Sequence, residues 1–175
     1  MGYTTYFNGE FKVTPTLAPE HVAYLTKFSG TRRMVRDPEK ASELSDPERE
    51  AVGLPIGDQG GYFVGGIGFA GQTDDASVVE HNHAPAGQPG LWCQWVPTED
   101  STAILCLWDE CEKFYNYNEW IVYLIENFLK PWGYSLTGNV DWEGEDNADF
   151  GTIFIQDNDV RPVAGERLIV NPFPS

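Results

Sequence analysis

The residues from Tyr134 to Glu143 constrain this fold more than any other stretch of the chain. Tyr134, Leu136, Val140 and Trp142 alternate with Ser135, Thr137, Asn139, Asp141 and Glu143. Successive side chains of a strand point to opposite faces, so the pattern describes a strand with one packed face and one wet face. Strands of parallel sheets are covered on both faces and read as continuous apolar runs, which makes this an antiparallel habit. The rest of the chain must supply partner strands and a cover for the apolar face.

Partner strands are legible on both sides. Tyr3 to Val13 is rich in Tyr, Phe, Thr and Val, with Asn8-Gly9 as a two-residue turn or Gly9 as a bulge in one long strand. Leu91–Val96 and Ala103–Trp108 read as two strands, and the short link Pro97–Thr102 favours their antiparallel pairing. Gly151 to Gln156, Val160 to Val163 and Leu168 to Val170 supply more, with Asp157-Asn158-Asp159 as a hairpin turn.

Two helices stand out. One starts at Pro19, buries Val22, Leu25 and Phe28, and ends at Gly30. In the other, Tyr117, Ile121, Leu124 and Phe128 recur along one face; Asn116 or Asn118 caps its start and Lys130-Pro131 stops it. Asp46-Pro47 and Gly53 bracket a shorter helix of one or two turns. From Gly53 to Gly90 ten glycines separate short apolar runs, a loop-like span of the kind that tends to carry function. The expected fold is α+β: a mainly antiparallel sheet of five to seven strands, two principal helices on one face, and a long Gly-rich loop. No repeat or linker divides the chain, so residues 1–175 are expected to form a single domain, long enough to bury a core without staples.

Charge narrows the function classes. The formal net charge is −16 and uneven: residues 1–50 carry 7 Lys/Arg against 8 Asp/Glu, whereas 51–175 carry 4 against 19. Such a body repels nucleic-acid backbones and anionic membranes, and attracts basic proteins and cations. No apolar run is long enough to span a membrane and no targeting segment is visible, so a cytoplasmic setting is expected. Cys93, Cys106 and Cys111 form no CxxC pair; Cys93 and Cys106, in apolar runs, are expected as buried reduced thiols.

Several constellations carry possible chemistry. Gly66-Ile67-Gly68-Phe69-Ala70-Gly71 has the dinucleotide-binding spacing, but no long helix follows to present its N–H groups to phosphate. On a strand, His81 and His83 would share a face and could hold a metal, with His21 or a carboxylate added, but two histidines in one polar loop are more often simply exposed. The run Asp141, Glu143, Glu145, Asp146 and Asp149 puts no glycine where a calcium loop needs one, which leaves a surface for a basic partner or a solvated turn. Tyr115, Tyr117 and Trp120 follow Asp109, Glu110 and Glu112, so rings and carboxylates there can line a pocket for a cation or polar ring. No nucleophile elbow, HExxH, P-loop or CxxC is present, and no cofactor is expected.

Met1-Gly2-Tyr3-Thr4-Thr5 with Phe7-x-Gly9-Glu10-Phe11 resembles the opening of a group of small proteins of bacteria and their phages. Glu112-Lys113-Phe114-Tyr115, Tyr117-x-x-Trp120 and Gly138-x-Val140-x-Trp142-x-Gly144-Glu145-Asp146-x-x-Asp149 resemble the same group. The resemblance covers about a third of the chain and brings no activity; its phage association implies an inhibitor or counter-defence role. The sequence therefore points first to an acidic, non-enzymatic binding protein that engages a basic protein partner, in the manner of a phage inhibitor or nucleic-acid mimic. The alternative is a ligand-binding or enzymatic pocket of aromatics and carboxylates.

Overall fold

The computed structural model describes residues 2–65, 75–106, 114–165 and 169–174. In chain order its elements are β1 (Thr5–Thr14), α1 (Pro19–Ser29), β2 (Val35–Arg36), α2 (Pro38–Ser42), α3 (Pro47–Ala51), β3 (Val78–Glu80), β4 (Val96–Pro97), β5 (Ala103–Leu105), α4 (Tyr117–Leu124), β6 (Ser135–Gly144), β7 (Phe150–Gln156) and β8 (Asp159–Gly165). A 3-10 turn occupies Asp58–Gly60, and a π-helical turn, Ile125–Leu129, continues α4. The class is α+β, built on a mainly antiparallel sheet. Contacts gather into two compact units: Met1–Leu17 with Gln94–Ser175, and Ala18–Cys93. Among the described residues no helix is long and apolar enough to cross a membrane.

The first unit holds a six-stranded sheet in the order β4-β5-β1-β6-β7-β8, every pairing antiparallel. The alternating strand is β6, with Leu136, Val140 and Trp142 buried and Thr137, Asp141 and Glu143 exposed. Its partner β1 runs beside it from Thr5↔Gly144 to Thr14↔Ser135 without a register shift. Gly9 is thus neither a turn nor a bulge. It lies in the ladder opposite Val140 at φ +112, where a Cβ would meet the Asn139 carbonyl at 2.8 Å. Glycine accepts both the dihedral and the close approach.

β6, β7 and β8 form a meander. Asp157 and Asn158 join the last two strands at φ 47 and 70, the left-handed pair that a two-residue hairpin turn requires. No further strand follows at Ile169 and Val170; Leu168 lies outside the described residues. Instead the segment 169–174 returns along β8, where the Arg161 guanidinium stacks 4.6 Å from the Phe173 ring and donates to the Pro172 carbonyl at 3.3 Å.

β4 and β5 are shorter than the apolar runs suggested. The carbonyls of Leu91 and Cys93 accept from Arg33 N and Ser29 Oγ, at 2.8 and 2.7 Å, so this backbone is bonded outside any ladder. Cys93 is a buried thiol as expected, but Cys106 is disulfide-bonded. Cysteine use therefore no longer argues for a reducing compartment.

α4 buries Trp120, Ile121 and Leu124, and the π-helical turn adds Ile125, Phe128 and Leu129. Asn116 precedes it at φ 60 and supplies a carbonyl to Trp120 N, but its side chain does not cap the start. The helix lies on the sheet's apolar side through aromatic edges: Tyr117 meets Phe7 and Trp142 at centroid distances of 5.2 and 5.5 Å. Trp95 and Phe114 pack on Phe7 at 5.2 and 5.8 Å, and the Trp95 indole donates to the Tyr117 carbonyl.

The second unit is held by buried arginines. α1 buries Tyr24, Leu25 and Phe28, while Val22 stays partly exposed; Gly30 closes the helix at φ −86, a value any residue adopts. Arg33 lies 4.3 Å from the Phe28 ring centroid and donates to the carbonyls of Gly61 and Phe63 and to Gln88. Arg36 donates to Asp75 and Ser77. Buried Asp46 pairs with Arg49 at 2.7 Å and accepts from Val64 N. Part of the glycine-rich span is thus core: Phe63 and Val64 are buried, and its carbonyls satisfy an arginine that water cannot reach.

Candidate functional site

Residues opposite one another in an antiparallel ladder share a face, so the register defines the sheet's outer surface. Tyr6 opposes Glu143, which opposes Phe150; Asn8 opposes Asp141, which opposes Thr152. These two rows, carried by β1, β6 and β7, floor a cleft of about 560 Å³ that also reaches Ile169. Tyr6 is 48% exposed, and Asp141 and Glu143 are exposed beside it. The Thr152 hydroxyl donates to Asp141 Oδ1 at 2.6 Å, which holds that carboxylate by one oxygen. Sequence alone does not single out Tyr6, Asn8 or Phe150. Alternation marks Tyr6 and Asn8 as strand residues, but only the pairing of distant strands sets them beside the acids.

The other three acids of the run have different work. Tyr3 donates to Asp149 Oδ2 at 2.6 Å, Thr4 N donates to Glu145 Oε1 at 2.7 Å, and Asp146 N donates to Tyr3 Oη at 3.3 Å. Asp146 also accepts from Ala148 N through its side chain and from Asp149 N through its carbonyl. Glu145, Asp146 and Asp149 thus clasp the first strand to the β6–β7 turn, a use of acidic side chains expected where turns and strand starts leave N–H groups open. A methyl group at Gly144 would collide with both Tyr3 Oη and Asp149 Oδ2, so the clasp closes directly over that glycine. The hydrogen bond to Asp149 holds the Tyr3 phenol above its ordinary pKa. Tyr117, behind the clasp, is pushed up to about 12, first by burial and then by the charges of Asp149 and Glu119. Tyr3 and Thr4 therefore meet Gly144 to Asp149 at one end of the sheet.

Of the alternative pocket, only Tyr115, Tyr117 and Trp120 fall among the described residues. Trp120 is fully buried in the core and Tyr115 is 57% exposed; Tyr117 spends its ring on Phe7 and Trp142. Asp109, Glu110 and Glu112 lie outside the described residues, as does the Gly66–Gly71 spacing.

The histidine pair lies in a polar turn. β3 ends at Glu80, so His81 and His83 sit in a turn instead of sharing a strand face. Arg32 donates to the His81 carbonyl and to Asn82 Oδ1, which puts a cation where a metal would need none. Among the described residues no three His, Cys, Asp or Glu side chains gather to hold a metal, and His21 on α1 joins no such set. The acidic run forms no calcium loop, because Phe150–Gln156 is strand β7.

No protein-family model, curated protein or solved structure matches this chain.

Proposed function

We propose that the chain is a non-enzymatic binding protein that engages a basic protein partner through the outer face of its sheet, as a phage-type inhibitor or nucleic-acid mimic would. One observation carries the reading: Asp141 and Glu143 stand exposed in a cleft that Tyr6 and Phe150 also line. Two exposed carboxylates beside an exposed tyrosine disfavour anions and reward a cation with an apolar stem. The unit that bears them carries 16 Asp/Glu against 5 Lys/Arg, so a basic partner is also drawn in from a distance. Glu145, Asp146 and Asp149 set the edge of this surface while they hold the clasp.

A labelled Lys/Arg peptide titrated against the protein by fluorescence anisotropy tests the reading. Affinity should fall steeply as salt is raised from low to physiological strength, because exposed charges are screened beyond about 8 Å there. It should also drop in the double variant Asp141→Asn/Glu143→Gln. Binding that ignores salt, or ignores that variant, sinks the proposal.

A further inference from the structure

We infer that the cleft is built for a guanidinium group, so that an arginine side chain of the partner docks in it with its plane on the Tyr6 ring. This deepens, and rests on, the reading that the face binds a basic protein. In the row Tyr6–Glu143–Phe150 the acid has Tyr6 on the neighbouring strand to one side, while the Phe150 ring leans over Gly165 on the far side of β7. Strand spacing puts the Tyr6 backbone about 4.8 Å to one side of the acid's own. A flat cation laid over Glu143 therefore has an anion and the exposed Tyr6 side chain within reach together.

The second row favours a fork over a point charge. Asp141 and Glu143 are alternate residues of β6, about 6.6 Å apart along the strand. A guanidinium has five donors in a rigid plane and reaches two acceptors at once; an ammonium concentrates its charge on one and is more strongly hydrated. Thr152 holds one oxygen of Asp141, and Asn8, opposite Asp141, brings a further side-chain acceptor to the rim. The same face already shows the arrangement built from the chain's own residues. Arg161, outward on β8 because it opposes Phe154, stacks on Phe173 and donates to a carbonyl.

The test uses two dye-labelled peptides of equal length and charge, one carrying only arginine and one only lysine, titrated at low salt against the full chain. The arginine peptide should bind about tenfold tighter, the scale of a desolvated cation–π contact. Tyr6→Ser should bring the two affinities together while salt-sensitive binding remains. Asp141→Asn/Glu143→Gln should weaken the arginine peptide at least tenfold. Glu119→Gln/Glu126→Gln, which removes the same charge from α4 and the turn that continues it, should leave the preference intact. Melting curves check that each variant is folded; Tyr6 and the four acids are all exposed. Equal affinities for the two peptides, both lowered by Asp141→Asn/Glu143→Gln, overturn the guanidinium site and leave the basic-partner reading standing. Binding indifferent to Asp141→Asn/Glu143→Gln is bulk attraction to an acidic chain, and it overturns both.

Discussion

Tyr117 and Gly144 show how far single residues depend on the clasp around them. The folded chain holds the Tyr117 proton to about pH 12, whereas an unfolded tyrosine releases it near its ordinary value of 10.0. The native state thus binds the proton more tightly. That contribution to stability is complete below about pH 10 and is lost as pH rises toward 12. Melting temperature measured across this window should fall, and Tyr117→Phe, which has no proton to lose, should fall less steeply. Gly144→Ala should open the clasp, since its methyl group would displace Tyr3 or Asp149. Overpacking at such a site costs roughly 1–3 kcal/mol, readable as a lower urea midpoint at unchanged slope. Neither effect is legible locally. Tyr3 and Asp149 lie 146 residues apart in the chain, and nothing near Gly144 announces a phenol above it.

At the scale of elements, the β7–β8 turn separates propensity from context. Asn158 sits at φ 70, where glycine is the favoured residue, so turn chemistry alone predicts that Asn158→Gly is neutral or stabilising. Its side chain, however, accepts from Leu136 N at 2.7 Å and donates to the Tyr134 carbonyl at 3.0 Å, closing off the start of β6. The substitution should therefore destabilise by about 1–2 kcal/mol, measured by urea unfolding, because two partly buried backbone groups lose their partners. The elements themselves are largely readable. Period-two alternation locates β6, the stripe Ile121, Leu124 and Phe128 locates α4, and Asp157-Asn158 locates the turn, since each signal is short-range. Sequence and structure part where distant partners intervene. Gly9 reads as a turn or bulge until β6 is laid beside it. Residues 91–95 read as a strand until Ser29 and Arg33 take their carbonyls. α2 escapes a periodicity reading because five residues are too few to show a period, although Asp37 accepts from Glu39 N and Lys40 N in the usual capping geometry.

For the whole molecule, charge outweighs every local preference. At −16 the chain repels itself, and compaction concentrates that repulsion. Moderate NaCl at neutral pH should raise the melting temperature by screening it, even as the same salt weakens capture of a basic peptide. Both signs come from one screening, of like charges within the chain and of opposite charges between chain and peptide. The two compact units answer burial differently. The sheet unit relies on rings, Phe7, Phe11, Trp95 and Phe114 meeting at centroid distances between 5.2 and 5.8 Å. The other unit buries Arg33, Arg36 and Arg49 and must give their N–H groups acceptors.

What the sequence by itself determined were properties carried by neighbours along the chain: an antiparallel sheet with one wet face, an amphipathic helix, a hairpin turn, and a surplus of negative charge. Dihedral preference, side-chain period and net charge do not depend on which segments later meet. The tertiary structure alone decided what the charged residues do. Register between β1, β6 and β7 put Asp141 and Glu143 beside Tyr6 and Phe150. The approach of the chain's opening residues turned Glu145, Asp146 and Asp149 into a clasp. Arg33 became core because glycine-rich backbone folded around it and gave it the carbonyls of Gly61 and Phe63. Acids of one continuous run acquired two roles because a hydrogen bond is decided by what lies within about 3 Å in space, whatever its distance along the chain.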